Sequence, residues 1–97
     1  MGDNMKITIL GTGAYGLALS LMFNKNVNDI VLWTKFEEEK NEIDKTRGNH
    51  RVLPNIRIPD NIKITTDFDL AITDATLIVI AVPAAFVDDI GQMLNEN

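Results

Sequence analysis

Met5-Lys6-Ile7-Thr8-Ile9-Leu10-Gly11-Thr12-Gly13-Ala14-Tyr15-Gly16 is the stretch that decides the fold. Its first six residues are rich in apolar and β-branched types and stop at glycine, the signature of a buried strand. The next six spell G-x-G-x-x-G, a pattern that arises by chance when it stands alone. Here an apolar helix follows directly over residues 14–25, and a second strand over 29–33 begins 18 residues after Gly11. Strand, glycine loop, helix and strand in that order form the dinucleotide-binding fingerprint. Gly11 permits the tight turn, Gly13 lets the backbone approach a pyrophosphate, and Gly16 lets the helix lie close to the sheet. Amides at the helix start, reinforced by the helix dipole, then face the phosphates.

Outward from this stretch the alternation continues. A polar helix is expected over 37–47, anchored by Phe36 and Ile43 and stopped at Gly48. Residues 48–61, with Pro54 and Pro59 among Val52, Leu53, Ile56 and Ile58, read as a structured connection. Ile62-Lys63-Ile64-Thr65 reads as a half-exposed third strand. Thr66, as N-cap with Asp69 three residues on, opens a short helix to about Thr73. Residues 76–82 are the most hydrophobic segment, unalternating, and read as a fourth strand buried on both faces. Pro83 closes it, and 84–94 is expected to form a helix with Phe86, Val87, Ile90 and Leu94 on one side. Such an alternation specifies the α/β class: a partial, doubly wound parallel sheet of the Rossmann type, with expected strand order 3-2-1-4. The ligand crevice then lies between strands 1 and 4, outside their carboxyl ends.

Composition narrows the partners. The 97 residues suffice for one domain, expected to be a truncated dinucleotide-binding unit without a substrate domain. Fourteen acidic against nine scattered basic residues disfavour nucleic acid and anionic membrane surfaces. The longest apolar run, residues 77–87, falls far short of the roughly 20 that span a bilayer and is broken by Pro83. Cysteine is absent, which excludes disulfides and thiolate chemistry, and the amino terminus lacks the pattern of a secretory signal. A cytoplasmic setting is expected. The apolar fourth strand, left at a sheet edge, is expected to favour homodimers.

The tip of strand 2 bears on which dinucleotide fits. An NAD site usually places Asp or Glu there, which would repel a 2′-phosphate. Thr34 and Lys35 stand at this tip instead, and a hydroxyl with an ammonium suits NADP, with dual use of NAD open. Glu37, 21 residues after Gly16, is read as a first-turn acid favoured by the helix dipole, as are Glu38 and Glu39. Across the crevice, Val82 and Pro83 at the end of strand 4 offer a small apolar wall to a ribose or ring face. Tyr15 sits where it borders a cofactor, and Trp33 is expected in the core.

Together these residues resemble the amino-terminal part of bacterial NAD(P)-dependent glycerol-3-phosphate dehydrogenases. The resemblance rests on residues 9–16, Leu32-Trp33, Asn49-His50-Arg51-Val52-Leu53-Pro54, Ile58-Pro59 and Ala81-Val82-Pro83, and runs from Met5 to about Leu94. It implies hydride transfer between NAD(P)H and dihydroxyacetone phosphate, yielding glycerol 3-phosphate for phospholipid synthesis. Ala14 and Tyr15 match the loop positions that contact the cofactor, and Lys35 matches a basic position after the Trp. Ala14 stands where the family commonly has Ser, and Val52 where it has Tyr or Phe. The family's substrate-binding and catalytic lysines fall beyond the Val-Pro strand end, in part within a helical carboxy-terminal domain. The resemblance therefore assigns no catalytic residue here, and the 97 residues are expected to be inactive alone.

Other chemistry finds little support. His50 has no second ligand at metal spacing, so no metal site is expected. Asp67, Asp69, Asp74 and the pair Asp88-Asp89 sit where helix faces and caps take solvated acids, and Ser20 lies within a buried helix. The competing readings are a fragment of a related 6-phosphogluconate-dehydrogenase-like enzyme such as ketopantoate reductase, a fragment of a nucleotide-sugar dehydrogenase, and a free-standing nucleotide-binding module without enzymatic activity.

Overall fold

The computed structural model describes residues 5–49 and 55–96, so His50 to Pro54 of the connection lie outside the described residues. Its strands are β1 (Lys6–Leu10), β2 (Asp29–Trp33), β3 (Ile62–Thr65) and β4 (Leu77–Ile80), and its helices α1 (Ala14–Phe23), α2 (Glu37–Thr46), α3 (Phe68–Ile72) and α4 (Val87–Glu96). The sheet is parallel throughout, in the expected order β3-β2-β1-β4. Ile9 pairs with Leu32 of β2 and Val79 of β4, and Leu32 pairs in turn with Ile64 of β3.

Alternation along the strands feeds two cores. Ile7, Ile9, Ile30, Leu32, Ile62 and Ile64 face one side, where Leu17 of α1, Ile43 of α2 and Ile58 of the connection cover them. Leu10, Val31 and Trp33 face the other side, against Phe68 and Ala71 of α3 and Ile90 of α4. Each aliphatic side chain so buried contributes about 1.5–3 kcal/mol. Trp33 is in the core as expected: its ring meets Phe68 edge-on at 5.2 Å, and its indole N–H donates to the Thr66 carbonyl at 3.0 Å. The polar group of β1 that faces the core is satisfied as well, since the Thr8 hydroxyl donates to the Ala71 carbonyl.

Four local expectations are corrected. Helix α2 ends at Thr46, and the residue in the left-handed conformation is Arg47 (φ 56°), not Gly48. The Arg47 guanidinium donates to the carbonyls of Ile58, Pro59 and Ile62, and these bonds hold a side chain where glycine would otherwise be favoured. Helix α3 is capped by Asp67, whose carboxylate accepts the Leu70 N–H at 3.1 Å, while the Thr66 hydroxyl donates to Glu37. The segment after Pro83 begins as a 3₁₀ turn over Ala84–Phe86. That tighter turn changes the phase of the apolar positions: Ile90 is buried, with Leu94 packed beside it, but Phe86 and Val87 are exposed. Finally, β4 is covered only in part: Val79 and Ile78 pack against the two cores on opposite faces, but Leu77 and Ile80 are 43% and 39% exposed at this sheet edge.

Helix α1 is likewise covered less fully than its composition suggests. Gly16, Leu17 and Ser20 face the sheet, whereas Tyr15 and Met22 are exposed. Among the described residues, no helix is long and apolar enough to cross a membrane.

Candidate functional site

The carboxyl ends of β1, β2 and β4 converge on the glycine loop. The Gly11 N–H donates to the Trp33 carbonyl at 2.8 Å, and the Ala81 N–H donates to the Leu10 carbonyl at 2.9 Å, so the sheet ladder continues into the loop from both sides. Gly11 adopts φ 135°, a conformation that residues with a side chain rarely adopt, and a Cβ there would lie 2.5 Å from the Ala81 carbonyl oxygen. A Cβ at Gly16 would overlap the Gly11 carbonyl oxygen, which is the close approach of helix to strand inferred from the motif. Gly13 is different, since a Cβ added there would meet nothing within 4 Å.

Gly13 is the N-cap of α1 and carries no side-chain cap bond. The first intrahelical bond joins the Leu17 N–H to the Gly13 carbonyl, so the amides of Ala14, Tyr15 and Gly16 precede the helical ladder. An open space over a helix start whose first amides lie outside the helical ladder is what a pyrophosphate requires, and the cradle fits that group.

Beside this cradle lies a cleft of about 330 Å³. Gly11, Thr12 and Gly13 form one wall, Thr34, Lys35 and Glu39 the β2 end, and Ala81, Val82 and Pro83 the opposite wall, with Phe86 and Ile90 beyond. A second depression meets it along Gly13 and the Ala81-Val82-Pro83 wall and adds Ala14 and Tyr15. The expected residues are thus brought together: Gly11, Gly13, Thr34, Lys35, Val82 and Pro83 line the cleft, Ala14 and Tyr15 line the adjoining depression, and Gly16 lies beneath the loop. Tyr15 is 66% exposed, a side chain standing over the depression rather than packed in the core.

Two side chains at the site were not foreseen. Glu39 is not solvated with its neighbours; its Oε1 accepts the hydroxyl of Thr34 at 2.9 Å and that of Thr12. The signal lay in helical spacing, because Glu39 is four residues before Ile43, the one buried residue of α2, and so shares its inward face. The Thr34 hydroxyl also accepts the Phe36 N–H, so this buried group is committed on both counts and is not the free donor expected for a 2′-phosphate. Asn49 is the second: it is buried, and its Nδ2 donates to the Thr12 carbonyl at 3.2 Å, tying the connection to the glycine loop. Glu37 turns outward to Thr66, in keeping with its reading as a first-turn acid. Farther along α2, the hydrogen bond from Lys40 to Asp44 raises the lysine above its ordinary pKa, outside the cleft.

Residues 6–97 match the family model described as NAD-dependent glycerol-3-phosphate dehydrogenase N-terminus. The chain belongs to this glycerol-3-phosphate dehydrogenase family. A glycerol-3-phosphate dehydrogenase [NAD(P)+] of Dechloromonas aromatica is 42% identical over 81 residues, covering 84% of this chain and 24% of the relative. The crystal structure of glycerol-3-phosphate dehydrogenase from Coxiella burnetii superposes with a TM-score of 0.76 at 32% identity, over 94% of this chain and 28% of that one. The solved structure of the Plasmodium falciparum glycerol-3-phosphate dehydrogenase gives 0.83 at 25% identity, over 97% and 29%. The chain therefore spans about a quarter of the length of the curated dehydrogenases it matches. The matches favour the glycerol-3-phosphate dehydrogenase reading over its competitors.

Proposed function

We propose that residues 1–97 form the dinucleotide-holding domain of an enzyme that reduces dihydroxyacetone phosphate to glycerol 3-phosphate with NADH or NADPH, in the cytoplasm, supplying glycerophospholipid synthesis. The observation that carries the reading is the open cradle at Gly13, set at the head of α1 and facing the Ala81-Val82-Pro83 wall. The dinucleotide supplies the hydride. The amides of Ala14, Tyr15 and Gly16 hold the pyrophosphate, and Thr34 and Lys35 border the adenosine end. Val82 and Pro83 shield the opposite side, where an apolar wall without a proline N–H keeps water from the ring. Groups that orient the substrate and move its proton belong to parts of the longer enzymes outside this span.

Titration calorimetry with NADH and NADPH tests the reading. Saturable one-to-one binding of at least one of them is expected, together with energy transfer from Trp33, which lines the cleft, to the reduced nicotinamide. Failure of both cofactors to bind at millimolar concentration would sink it. No turnover of glycerol 3-phosphate by the 97 residues alone is expected.

Exposure of Leu77 and Ile80 on β4 favours a homodimer formed by edge pairing. Sedimentation velocity is expected to show concentration-dependent association, weakened by about tenfold or more in Ile80→Lys, since a charge at a paired apolar edge is costly. A monomer at all concentrations would count against it.

A further inference from the structure

We propose that Glu39 sets the choice of dinucleotide, receiving the adenosine ribose hydroxyls on its carboxylate and disfavouring a 2′-phosphate; this rests on the dinucleotide reading of the cleft. The tip of β2 carries no acid, only Thr34 and Lys35, yet the cleft has a carboxylate at that place because α2 delivers one. Thr12 from the glycine loop and Thr34 from the strand tip both donate to Oε1, which fixes the side chain from two sides. Among the described residues Oε2 receives no hydrogen bond, so the second oxygen is available to a ligand in the cleft. A vicinal diol supplies donors matched to a carboxylate, whereas a phosphate supplies only acceptors and further negative charge.

Two features reinforce this choice. Both threonine hydroxyls are spent on Glu39, leaving neither as a donor to phosphate oxygens. Asp89 on the far side, exposed as Lys35 is, offsets the single ammonium of Lys35 and leaves Glu39 as the unbalanced charge of the cleft. Solvent screens an exposed ammonium more than a carboxylate held in a hydrogen-bonded position. The balance reverses the preference for NADP that Thr34 and Lys35 suggest when read alone.

The test is calorimetry on this chain with NAD, NADP and 2′-deoxy-NAD, repeated on Glu39→Gln and Lys35→Ala, with circular dichroism and a thermal melt on each variant. Wild type is expected to bind NAD at least about tenfold more tightly than NADP, and 2′-deoxy-NAD about fivefold or more weakly than NAD. Glutamine keeps an acceptor for both threonines while removing the charge, so the NADP-to-NAD ratio of dissociation constants is expected to fall about tenfold in Glu39→Gln. In Lys35→Ala the same ratio is expected to rise. A merely structural glutamate would instead weaken both cofactors together and lower the melting temperature. Equal or tighter binding of NADP by wild type, or an unchanged ratio in a folded Glu39→Gln, overturns the assignment while leaving the dinucleotide reading intact. Should Glu39→Gln not fold, the wild-type comparison of the three ligands still decides it. Wild type that binds none of them overturns both.

Discussion

Gly11→Ala is expected to lose about 2–6 kcal/mol of stability, a large fraction of what a domain of this size has to lose. Two costs combine. Alanine must adopt φ 135°, which costs about 1–3 kcal/mol in a residue with a side chain. Its methyl group must also fit 2.5 Å from the Ala81 carbonyl oxygen and 2.8 Å from the carbonyl carbon, both backbone atoms. A flexible side chain could move aside, but here neither partner can. Ala81 is tied to Leu10 by one ladder bond and Gly11 to Trp33 by another, so relief would break the sheet where β1, β2 and β4 meet. Overpacking of this kind adds a further 1–3 kcal/mol or so. Urea unfolding followed by Trp33 fluorescence measures the loss, since the buried indole reports directly on this junction. A midpoint shift worth less than about 1 kcal/mol would mean that the loop relaxes more freely than its hydrogen bonds imply.

The fold was legible in the sequence where hydrophobic periodicity and glycine placement act together. Residues 5–16 identify β1, its end and α1 with little ambiguity, whereas the unalternating run of β4, read as buried on both faces, is only partly covered. Strand order followed because four parallel strands with helical crossovers leave few arrangements. What stayed hidden depends on partners distant in sequence. Arg47 takes the left-handed cap because carbonyls 11 to 15 residues later receive its guanidinium, a condition no local pattern records. Thr66 and Asp67 are both good caps, and the choice fell to Asp67 because Thr66 is turned toward Glu37 on another helix. At the site, the loop and the β4 end line the cleft at the carboxyl end of the sheet, where strand order places a crevice. Glu39 was misjudged because three consecutive acids look like a solvated turn, and only the inward spacing with Ile43 separates the third from the others. Polar side chains that close a site are specified by tertiary geometry, whereas the apolar frame that carries them is specified by pattern.

Gly13→Val separates folding from binding within the same loop. Gly13 sits at φ −72° and ψ −174°, extended backbone that valine adopts without strain. A Cβ there touches nothing within 4 Å, and the helix has no side-chain cap bond to forfeit. Stability is therefore expected to change by no more than about 1 kcal/mol, the scale of an unfavourable residue at an N-cap. Binding is another matter. If the pyrophosphate occupies the cradle, the valine methyl groups stand where its oxygens must come within about 2.7–2.9 Å of the α1 amides. Each charge-assisted bond lost is worth about 1.5–3 kcal/mol, and the ligand cannot retreat without leaving the helix end altogether. Affinity for NAD is expected to fall by about 100-fold or more, roughly 2.7 kcal/mol, in a protein whose melting temperature is nearly unchanged. Calorimetry and a thermal melt on one preparation check both halves. Undiminished affinity would place the phosphates elsewhere, whereas a parallel loss of stability would make Gly13 a packing residue like Gly11. The contrast is diagnostic because the two glycines are two residues apart: at Gly11 the protein fills the space a side chain would take, whereas at Gly13 the space is open and the proposed ligand would fill it.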